Sequence, residues 1–175
     1  LSKTYSWDQQ TSDSAPTMTA MSTGYKTREG MLSVNHTTAR GECSAAVIDA
    51  KKVATILEAA ADMGKSTGIV STARITHATP AVNYAHISNR DWDADSNLPA
   101  GATVKDIARQ LIEFPLGDGL EVAFGGGRGK FLPKAAKDPE YSDISGERGD
   151  GRDLAAEWVG RNPDAAFVWN RAQFD

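Results

Sequence analysis

Apolar residues along the chain follow two spacings that predict different elements. At 50–63 and 104–114 they recur with helical spacing, which places them on one face of an amphipathic helix. At 66–72 and 120–124 they form short continuous runs, which are typical of buried strands. Helices that alternate with short apolar strands favour an α/β fold with a largely parallel sheet.

Residues that start and stop helices refine these boundaries. Asp49 and Thr103 are suited to cap the two amphipathic helices, because their side chains can accept a hydrogen bond from a first-turn amide. Thr79, which precedes a proline, predicts the start of another helix that would contain His86 and end near Arg90. Weaker patterns predict four further elements: a helix at 11–23, a strand near 31–34, a helix at 153–160 and a strand at 165–169.

The composition limits the classes of function. The chain has 175 residues, enough for one domain with its own core, and a formal net charge of −4. That balance argues against a nucleic-acid or anionic-membrane surface, which would favour clustered Lys and Arg, but it leaves room for a local anion site. No apolar run reaches the roughly 18 residues of a membrane helix. Cys43 is the single cysteine, so no disulfide can form within the chain.

Ser14 follows Asp13 where a loop is expected to become a helix. A serine at this place often serves only as a helix cap. It can also act as a nucleophile, provided that a base or a metal ion activates its hydroxyl. The free amides of a helix N-terminus suit a phosphate anion, although Pro16 removes one of them. No Gly-x-Ser-x-Gly sequence surrounds Ser14, which disfavours the hydrolases that use that motif.

Three more side chains bear the chemistry of a phosphate site. Arg90 has a planar guanidinium that can grip two phosphate oxygens, although most arginines are simply surface residues. Thr79 offers a hydroxyl that can bind a metal ion. His77, beside it, can either hydrogen-bond to the backbone or support a metal site from outside its ligands. With Ser14 these residues indicate a metal-assisted phosphomonoesterase, yet the metal ligands that such an enzyme needs are mostly missing from the chain.

Six segments carry a family resemblance. The first, at 11–27, has Asp-Ser-Ala followed by small residues and then by Thr-Gly-Tyr-Lys-Thr. The others are Gly-Ile-Val-Ser-Thr-Ala-Arg at 68–74, His-Ala-Thr-Pro at 77–80, Tyr-Ala-His at 84–86, Asn-Arg-Asp-Trp at 89–92 and Phe-Gly-Gly-Gly-Arg at 124–128. Together they resemble the motifs of alkaline phosphatases, in the same order, over most of residues 1–133.

The resemblance implies a role for each candidate residue. Ser14 is expected to be the nucleophile that forms a phosphoserine intermediate and binds one zinc ion. Asp13 is expected to position Arg90 and to offer its amide to phosphate, while Arg90 clamps the phosphate. Thr79 is expected to be a magnesium ligand, and His77 to tune the magnesium site.

The family also implies the wider properties of the protein. We expect a three-layer α/β sandwich around a largely parallel sheet, two Zn²⁺ ions and one Mg²⁺ ion. The expected ligands are small phosphate monoesters and inorganic phosphate, with no nucleic acid and no membrane span in this segment. The parent protein is expected to be a homodimer in the periplasm or outside the cell.

The chain lacks several sequences that supply metal ligands in that family. Before Ser14 there is no strand carrying Gly-Asp-Gly, and the late segments that carry Asp-x-x-x-His, Asp-His and a further His in the family are absent. We therefore expect residues 1–175 to be part of an alkaline phosphatase catalytic domain and to be inactive alone. One alternative is a non-catalytic α/β binding module that has lost its metal sites. Another is a phosphodiesterase or sulfatase-like relative, which the Asp13–Arg90 pair disfavours.

Overall fold

The computed structural model describes residues 3–161 and 163–175 of the chain. The helices and strands in these ranges alternate as an α/β fold requires. They are α1 (Ser14–Thr23), α2 (Ala45–Asp49), α3 (Ile56–Asp62), β1 (Gly68–Arg74), α4 (Ala78–Ala81), α5 (Ile107–Ile112), β2 (Val122–Gly126), α6 (Leu154–Arg161) and α7 (Arg171–Phe174), with 3-10 turns at Asp95–Asn97 and Arg128–Lys130. Within the described ranges, no helix is both long enough and apolar enough to cross a membrane.

The two strands confirm the parallel sheet. β1 and β2 pair in parallel, with Gly68 opposite Val122 and, after an irregularity, Arg74 opposite Gly126. A Cβ atom on Gly125 would lie 2.9 Å from the backbone nitrogen of Ile75, so the close approach of the strand ends requires glycine there. The end of β1, which leads directly to His77, is thereby held tightly against β2.

The long helix expected at 50–63 is shorter and begins later. α3 starts after Thr55, whose hydroxyl accepts from the Glu58 amide at 3.1 Å, while Glu58 accepts from the Thr55 amide at 2.8 Å. This capping box defines the N-terminus more strongly than a lone aspartate can. Asp49 is therefore not an N-cap; it is the last residue of α2, a helix that the apolar pattern did not predict.

The N-caps of two further helices correct or refine the prediction. α5 begins after Asp106, which accepts from the Arg109 amide at 2.9 Å, and not after Thr103. The Thr103 hydroxyl accepts instead from the amide of Ala45, at 2.9 Å. α1 begins after Asp13, which caps it, within the range predicted for that helix.

The helix expected after Thr79 is also short. α4 ends at Ala81, and its N-cap is His77 rather than Thr79. Beyond it, the Ile87 amide and carbonyl pair with Leu32, at 3.0 and 2.9 Å, so the chain leaves the helical path. His86 and Arg90 therefore lie in the segment after the helix, not within it or at its end.

Two predicted strands are absent from the described residues. The strand expected near 31–34 is reduced to isolated bridges, one joining Leu32 to Ile87 and one joining Val34 to Lys52. Residues 165–169 are irregular, and neither β1 nor β2 pairs with them. Residues 31–34 are buried, whereas 165–169 are partly exposed, and neither run has a neighbouring strand in the described part of the chain with which to form a ladder.

Small residues bring α1 and α4 together. Ala15 of α1 and Ala78 and Ala81 of α4 are at most 1% exposed. Their short side chains allow the two helices to pack in direct contact. The N-termini of both helices, which carry Ser14 and His77, consequently face the same part of the molecule.

Candidate active site

Asp13 joins the start of α1 to Arg90. One carboxylate oxygen of Asp13 accepts from the Ala15 amide at 2.8 Å and so caps the helix. The other accepts from Arg90 Nη1 at 3.0 Å, across 77 positions of sequence. Because Ser14 is the first residue of the capped helix, the same carboxylate fixes both Ser14 and the guanidinium.

The guanidinium of Arg90 contacts two further candidate residues. Its Nη1 also donates to Ser14 Oγ at 2.8 Å, and its Nη2 lies 3.0 Å from His77 Nε2. The side chains of Arg90 and Asp13 are 22% and 23% exposed, so the pair is sheltered and still reaches solvent. The structure thus brings together four of the five residues expected at the site.

Arg90 is held by a backbone pairing. Its amide donates to the carbonyl of Gly30 at 2.8 Å, and the Leu32–Ile87 bridge continues the same antiparallel alignment. The segment at 30–32 therefore lies beside 87–90 and supports the turn that carries the arginine. This backbone pairing replaces the helix end at which the sequence pattern placed Arg90.

His77 is neutral and accepts from Arg90. Partial burial lowers the pKa of His77, and the positive charges of Arg90 and Arg74 lower it further. A neutral imidazole has one acceptor nitrogen, but His77 faces two donors, Arg90 at Nε2 and the Thr79 amide at Nδ1. The contact with Arg90 is shorter, 3.0 Å against 3.4 Å, which assigns the acceptor to Nε2.

Thr79 lies next to this cluster. It is exposed on α4, two residues after His77, and α4 contacts α1. Within the described residues its hydroxyl forms no side-chain hydrogen bond, in contrast to the hydroxyl of Ser14. The Thr79 hydroxyl is therefore available to a ligand.

The first turn of α1 offers little to an anion. The Ala15 amide donates to the Asp13 carboxylate, the Thr17 amide donates to the Asp13 carbonyl at 3.3 Å, and Pro16 has no amide hydrogen. Among the described residues, only the Ser14 amide at this helix start is left without a partner. Arg90 is consequently the main source of donors beside Ser14.

Comparison with known proteins places the chain in a family. The family model described as "Alkaline phosphatase" matches residues 1–175. The chain belongs to the alkaline phosphatase family. The resemblance of its motifs to that family is therefore confirmed.

Curated alkaline phosphatases are similar to the chain over almost all of its length. It is 44% identical over 179 residues to the alkaline phosphatase of Gadus morhua, a match that covers 98% of the chain and 37% of that protein. It is 41% identical over 182 residues to the tissue-nonspecific isozyme of Homo sapiens, covering 99% of the chain and 34% of that protein. The chain thus spans about a third of the length of these relatives.

Solved alkaline phosphatases share the fold. The structure of the enzyme from the Antarctic bacterium TAB5 matches with a TM-score of 0.61 and 29% identity, covering 90% of the chain and 34% of that enzyme. A TAB5 mutant with a histidine replaced by aspartate, solved with Mg bound in the M3 site, matches with a TM-score of 0.61 and 28% identity, covering 94% of the chain and 37% of that one. These matches confirm the α/β class of the partial alkaline phosphatase fold.

The described part of this alkaline phosphatase chain does not form a metal site by itself. In residues 3–161 and 163–175, no group of three or more His, Cys, Asp or Glu side chains could hold a metal ion. Ser14 and Thr79 offer hydroxyls, which are weak ligands unless other groups already hold the ion. The described residues do not complete a metal centre.

Sequence reasoning missed the residues behind the pair of Asp13 and Arg90. The Asp13 amide, expected to face phosphate, donates to Glu29 at 3.3 Å. Burial raises the pKa of the Glu29 carboxyl, and the nearby charge of Asp13 adds to the increase. Arg40 donates to the Glu29 carbonyl at 2.9 Å. The one local signal in this region is Gly30, whose φ of 70° favours glycine.

Proposed function

We propose that the protein to which this chain belongs hydrolyses phosphate monoesters, with Ser14 as the nucleophile and a phosphoserine as the intermediate. The observation that carries the proposal is that Arg90 contacts Ser14 Oγ and the Asp13 carboxylate with one nitrogen. A guanidinium beside a serine hydroxyl places positive charge where a phosphoryl group must bind. The alkaline phosphatase family of the chain supports the same reaction class.

Arg90 has donors to spare for a phosphate. An arginine side chain carries five N–H donors, and the described contacts use three of them, to Asp13, Ser14 and His77. The remaining donors are on Nε and Nη2. Planar guanidinium groups can bind two phosphate oxygens in a bidentate arrangement.

Ser14 forms the covalent bond in the proposed first step. Its Oγ attacks phosphorus and loses its proton, the Oγ–P bond forms, and the ester P–O bond breaks with release of the alcohol, which takes up a proton. The Arg90 charge 2.8 Å from Oγ favours the deprotonated hydroxyl and stabilises the negative charge on the phosphoryl oxygens. Water then cleaves the phosphoserine and releases inorganic phosphate.

Asp13 and His77 hold the arginine in place. Asp13 balances its charge and fixes Nη1, while His77 occupies one donor of Nη2. A guanidinium held on both sides loses little freedom when phosphate arrives, which strengthens binding. Partial burial and the nearby arginines lower the pKa of His77, which favours the neutral ring that can accept from Arg90.

We assign two Zn²⁺ ions and one Mg²⁺ ion to the complete protein, with Ser14 as a zinc ligand and Thr79 as a magnesium ligand. The structure of a TAB5 relative with Mg bound supports a metal cofactor in the family. When bound, such ions supply positive charge to the phosphate and activate the nucleophile. Because the described residues do not complete a metal site, the remaining ligands must come from other parts of the protein, and the 175-residue chain is inactive alone.

The remaining properties follow the family. The substrates are small phosphate monoesters, the product is inorganic phosphate, and the complete protein is a homodimer that acts in the periplasm or outside the cell. A membrane-bound alkaline phosphatase of Bombyx mori is 39% identical to the chain over 181 residues. One rival is a non-catalytic α/β binding module that has lost its metal sites.

An activity assay separates the proposal from its rival. The full-length protein is incubated with p-nitrophenyl phosphate, Zn²⁺ and Mg²⁺, beside a Ser14→Ala variant and the isolated 175-residue chain. We expect turnover by the full-length protein, which is lost after removal of metal by a chelator and largely lost in the variant. No turnover by the full-length protein with metals present would favour the binding module. Turnover by the isolated chain would show that it contains a complete site.

A further inference from the structure

The guanidinium of Arg40 joins two turns that are far apart in sequence. Its Nη1 donates to the carbonyl of Glu29 at 2.9 Å, and its Nη2 donates to the side-chain oxygen of Asn89 at 3.0 Å. Its Nη2 also lies 3.6 Å from a carboxylate oxygen of Asp91. Arg40 therefore contacts the residues on either side of Arg90 without touching Arg90 itself.

The turn at Glu29 and Gly30 touches both members of the central pair. The Gly30 carbonyl accepts from the Arg90 amide at 2.8 Å, and the Glu29 carboxylate accepts from the Asp13 amide at 3.3 Å. By tying this turn to the Arg90 turn, Arg40 closes a ring of contacts. The ring sets the backbone positions from which Asp13 and Arg90 reach each other.

Gly30 lies against the guanidinium of Arg40. Its φ of 70° is left-handed, and an added Cβ would overlap Arg40 Nη1 and Cζ. Any side chain at this position would push the guanidinium away from the Glu29 carbonyl. The absence of a side chain leaves room for the guanidinium.

The contacts of Arg40 are poorly suited to a purely stabilising role. Its side chain is 41% exposed, and that of Asp91, its carboxylate partner, is 74% exposed. Exposed ion pairs of this kind contribute little to the free energy of folding. Their value lies in fixing the orientation of one turn against another.

We propose that Arg40 is a positioning residue for Arg90, which it holds in register with Asp13 through the turns at Asn89–Asp91 and Glu29–Gly30. Its effect on phosphate binding rests on the proposed function. Loss of Arg40 leaves every donor of Arg90 present but lets the turn move. The affinity for inorganic phosphate should therefore fall, while the chemistry of Ser14 is retained.

The test is a double-mutant cycle in the full-length protein. The inhibition constant of inorganic phosphate is measured for wild type, Arg40→Ala, Arg90→Ala and the double variant. We expect Arg40→Ala to raise it about three- to tenfold, in the lower part of the range that coupling between neighbouring residues produces. In the Arg90→Ala background the same change should have no further effect. An equal change in both backgrounds, or none in either, would overturn the proposal.

A matched control variant sharpens the cycle. Arg109 also has a side chain that is 41% exposed, and it pairs with Glu113 four positions away on and after α5. Arg109→Ala should leave the inhibition constant unchanged. A rise in Arg109→Ala equal to the rise in Arg40→Ala would count against a specific role for Arg40.

Hydrogen exchange separates this proposal from the proposed function. The Arg90 amide, which donates to Gly30, should exchange faster in Arg40→Ala than in wild type, with no change in the amides of α5. If the wild-type protein neither turns over nor binds phosphate, the proposed function fails, while faster exchange at 88–91 would still support the positioning role. Unchanged exchange there would refute it whatever the activity.

Discussion

Arg148 and Arg90 both pair with aspartate, and they differ in how many of their N–H donors the pairing leaves free. Arg148 has a fully buried side chain, and all five of its N–H donors have acceptors. The acceptors are both carboxylate oxygens of Asp106, both of Asp150 and the carbonyl of Lys130. Arg90 is 22% exposed, and the described contacts use three of its donors.

The difference identifies which arginine can bind a ligand. Burial alone would lower the pKa of Arg148, but hydrogen bonds with Asp106 and Asp150 outweigh it and raise the pKa, so the side chain stays charged. Because Asp106 also caps α5, the Arg148 contact fixes that helix. An arginine whose donors are all occupied fixes structure, whereas one with a free, exposed edge can bind phosphate.

The largest expected effect is on the structural arginine. Arg148→Ala leaves Asp106 buried without its cation, and breaking a buried pair in this way costs about 3 to 5 kcal/mol. The free energy of unfolding of the full-length protein, measured with urea, should fall by that amount. A loss below about 1 kcal/mol would show that the pair contributes little, as exposed pairs do.

Removal of the other arginine should affect activity instead. Arg90→Ala should lower kcat/KM for p-nitrophenyl phosphate by roughly 30- to 1000-fold, or about 2 to 4 kcal/mol of transition-state stabilisation. Its free energy of unfolding should change by less than about 1 kcal/mol, because the side chain is partly exposed. If Arg90→Ala lost stability as Arg148→Ala does, the contrast between the two arginines would be wrong.

A conservative change isolates the shape of the guanidinium. Arg90→Lys keeps the charge and loses the planar fork, so we expect the inhibition constant of inorganic phosphate to rise about tenfold, near the value of one charged hydrogen bond. Competitive inhibition assays at constant ionic strength measure it. Unchanged phosphate affinity would mean that charge alone, and not bidentate geometry, matters at this position.

The smallest expected effect concerns acid stability near the structural arginine. Burial would raise the pKa of Glu113, but hydrogen bonds with Lys105, Arg109 and Arg152 lower it to about 2. A lowered carboxyl pKa adds stability above the ordinary value of 4.5, and this contribution is lost as pH falls towards 2. Glu113→Gln should remove about 1 kcal/mol at pH 7, since solvent screens the pairs, and much less near pH 2. An equal loss at both pH values would exclude an ionic origin.

Local signals predicted much of the fold. The start of α1 is encoded by Asp13, a side chain that caps its own helix, and the parallel strands β1 and β2 follow from short apolar runs. The start predicted for the helix at 50–63 was wrong, because the prediction relied on the apolar pattern. The capping box of Thr55 and Glu58 marks the actual start. An apolar run also does not show whether a neighbouring strand is available for pairing, as residues 165–169 illustrate.

Only the site residues that lie in family motifs could be predicted from the sequence. Arg90 and Asp13 meet across 77 positions, a juxtaposition that the family resemblance implies and that no local spacing shows. Arg40 and Glu29 were not predicted, because their contacts depend on a tertiary pairing of turns and on the empty side-chain position at Gly30. Tertiary contacts of this kind can be recognised only in the folded structure.

The most direct test of the central claim is to trap the intermediate. The full-length protein with Zn²⁺ and Mg²⁺ is incubated with inorganic phosphate at low pH and quenched, and the tryptic peptide that spans residues 4–26 is fragmented by mass spectrometry. We predict one phosphoryl group, located on Ser14 and absent from a Ser14→Ala variant. Phosphate on any other residue, or active turnover with no label at Ser14, would contradict the assignment of Ser14 as the nucleophile.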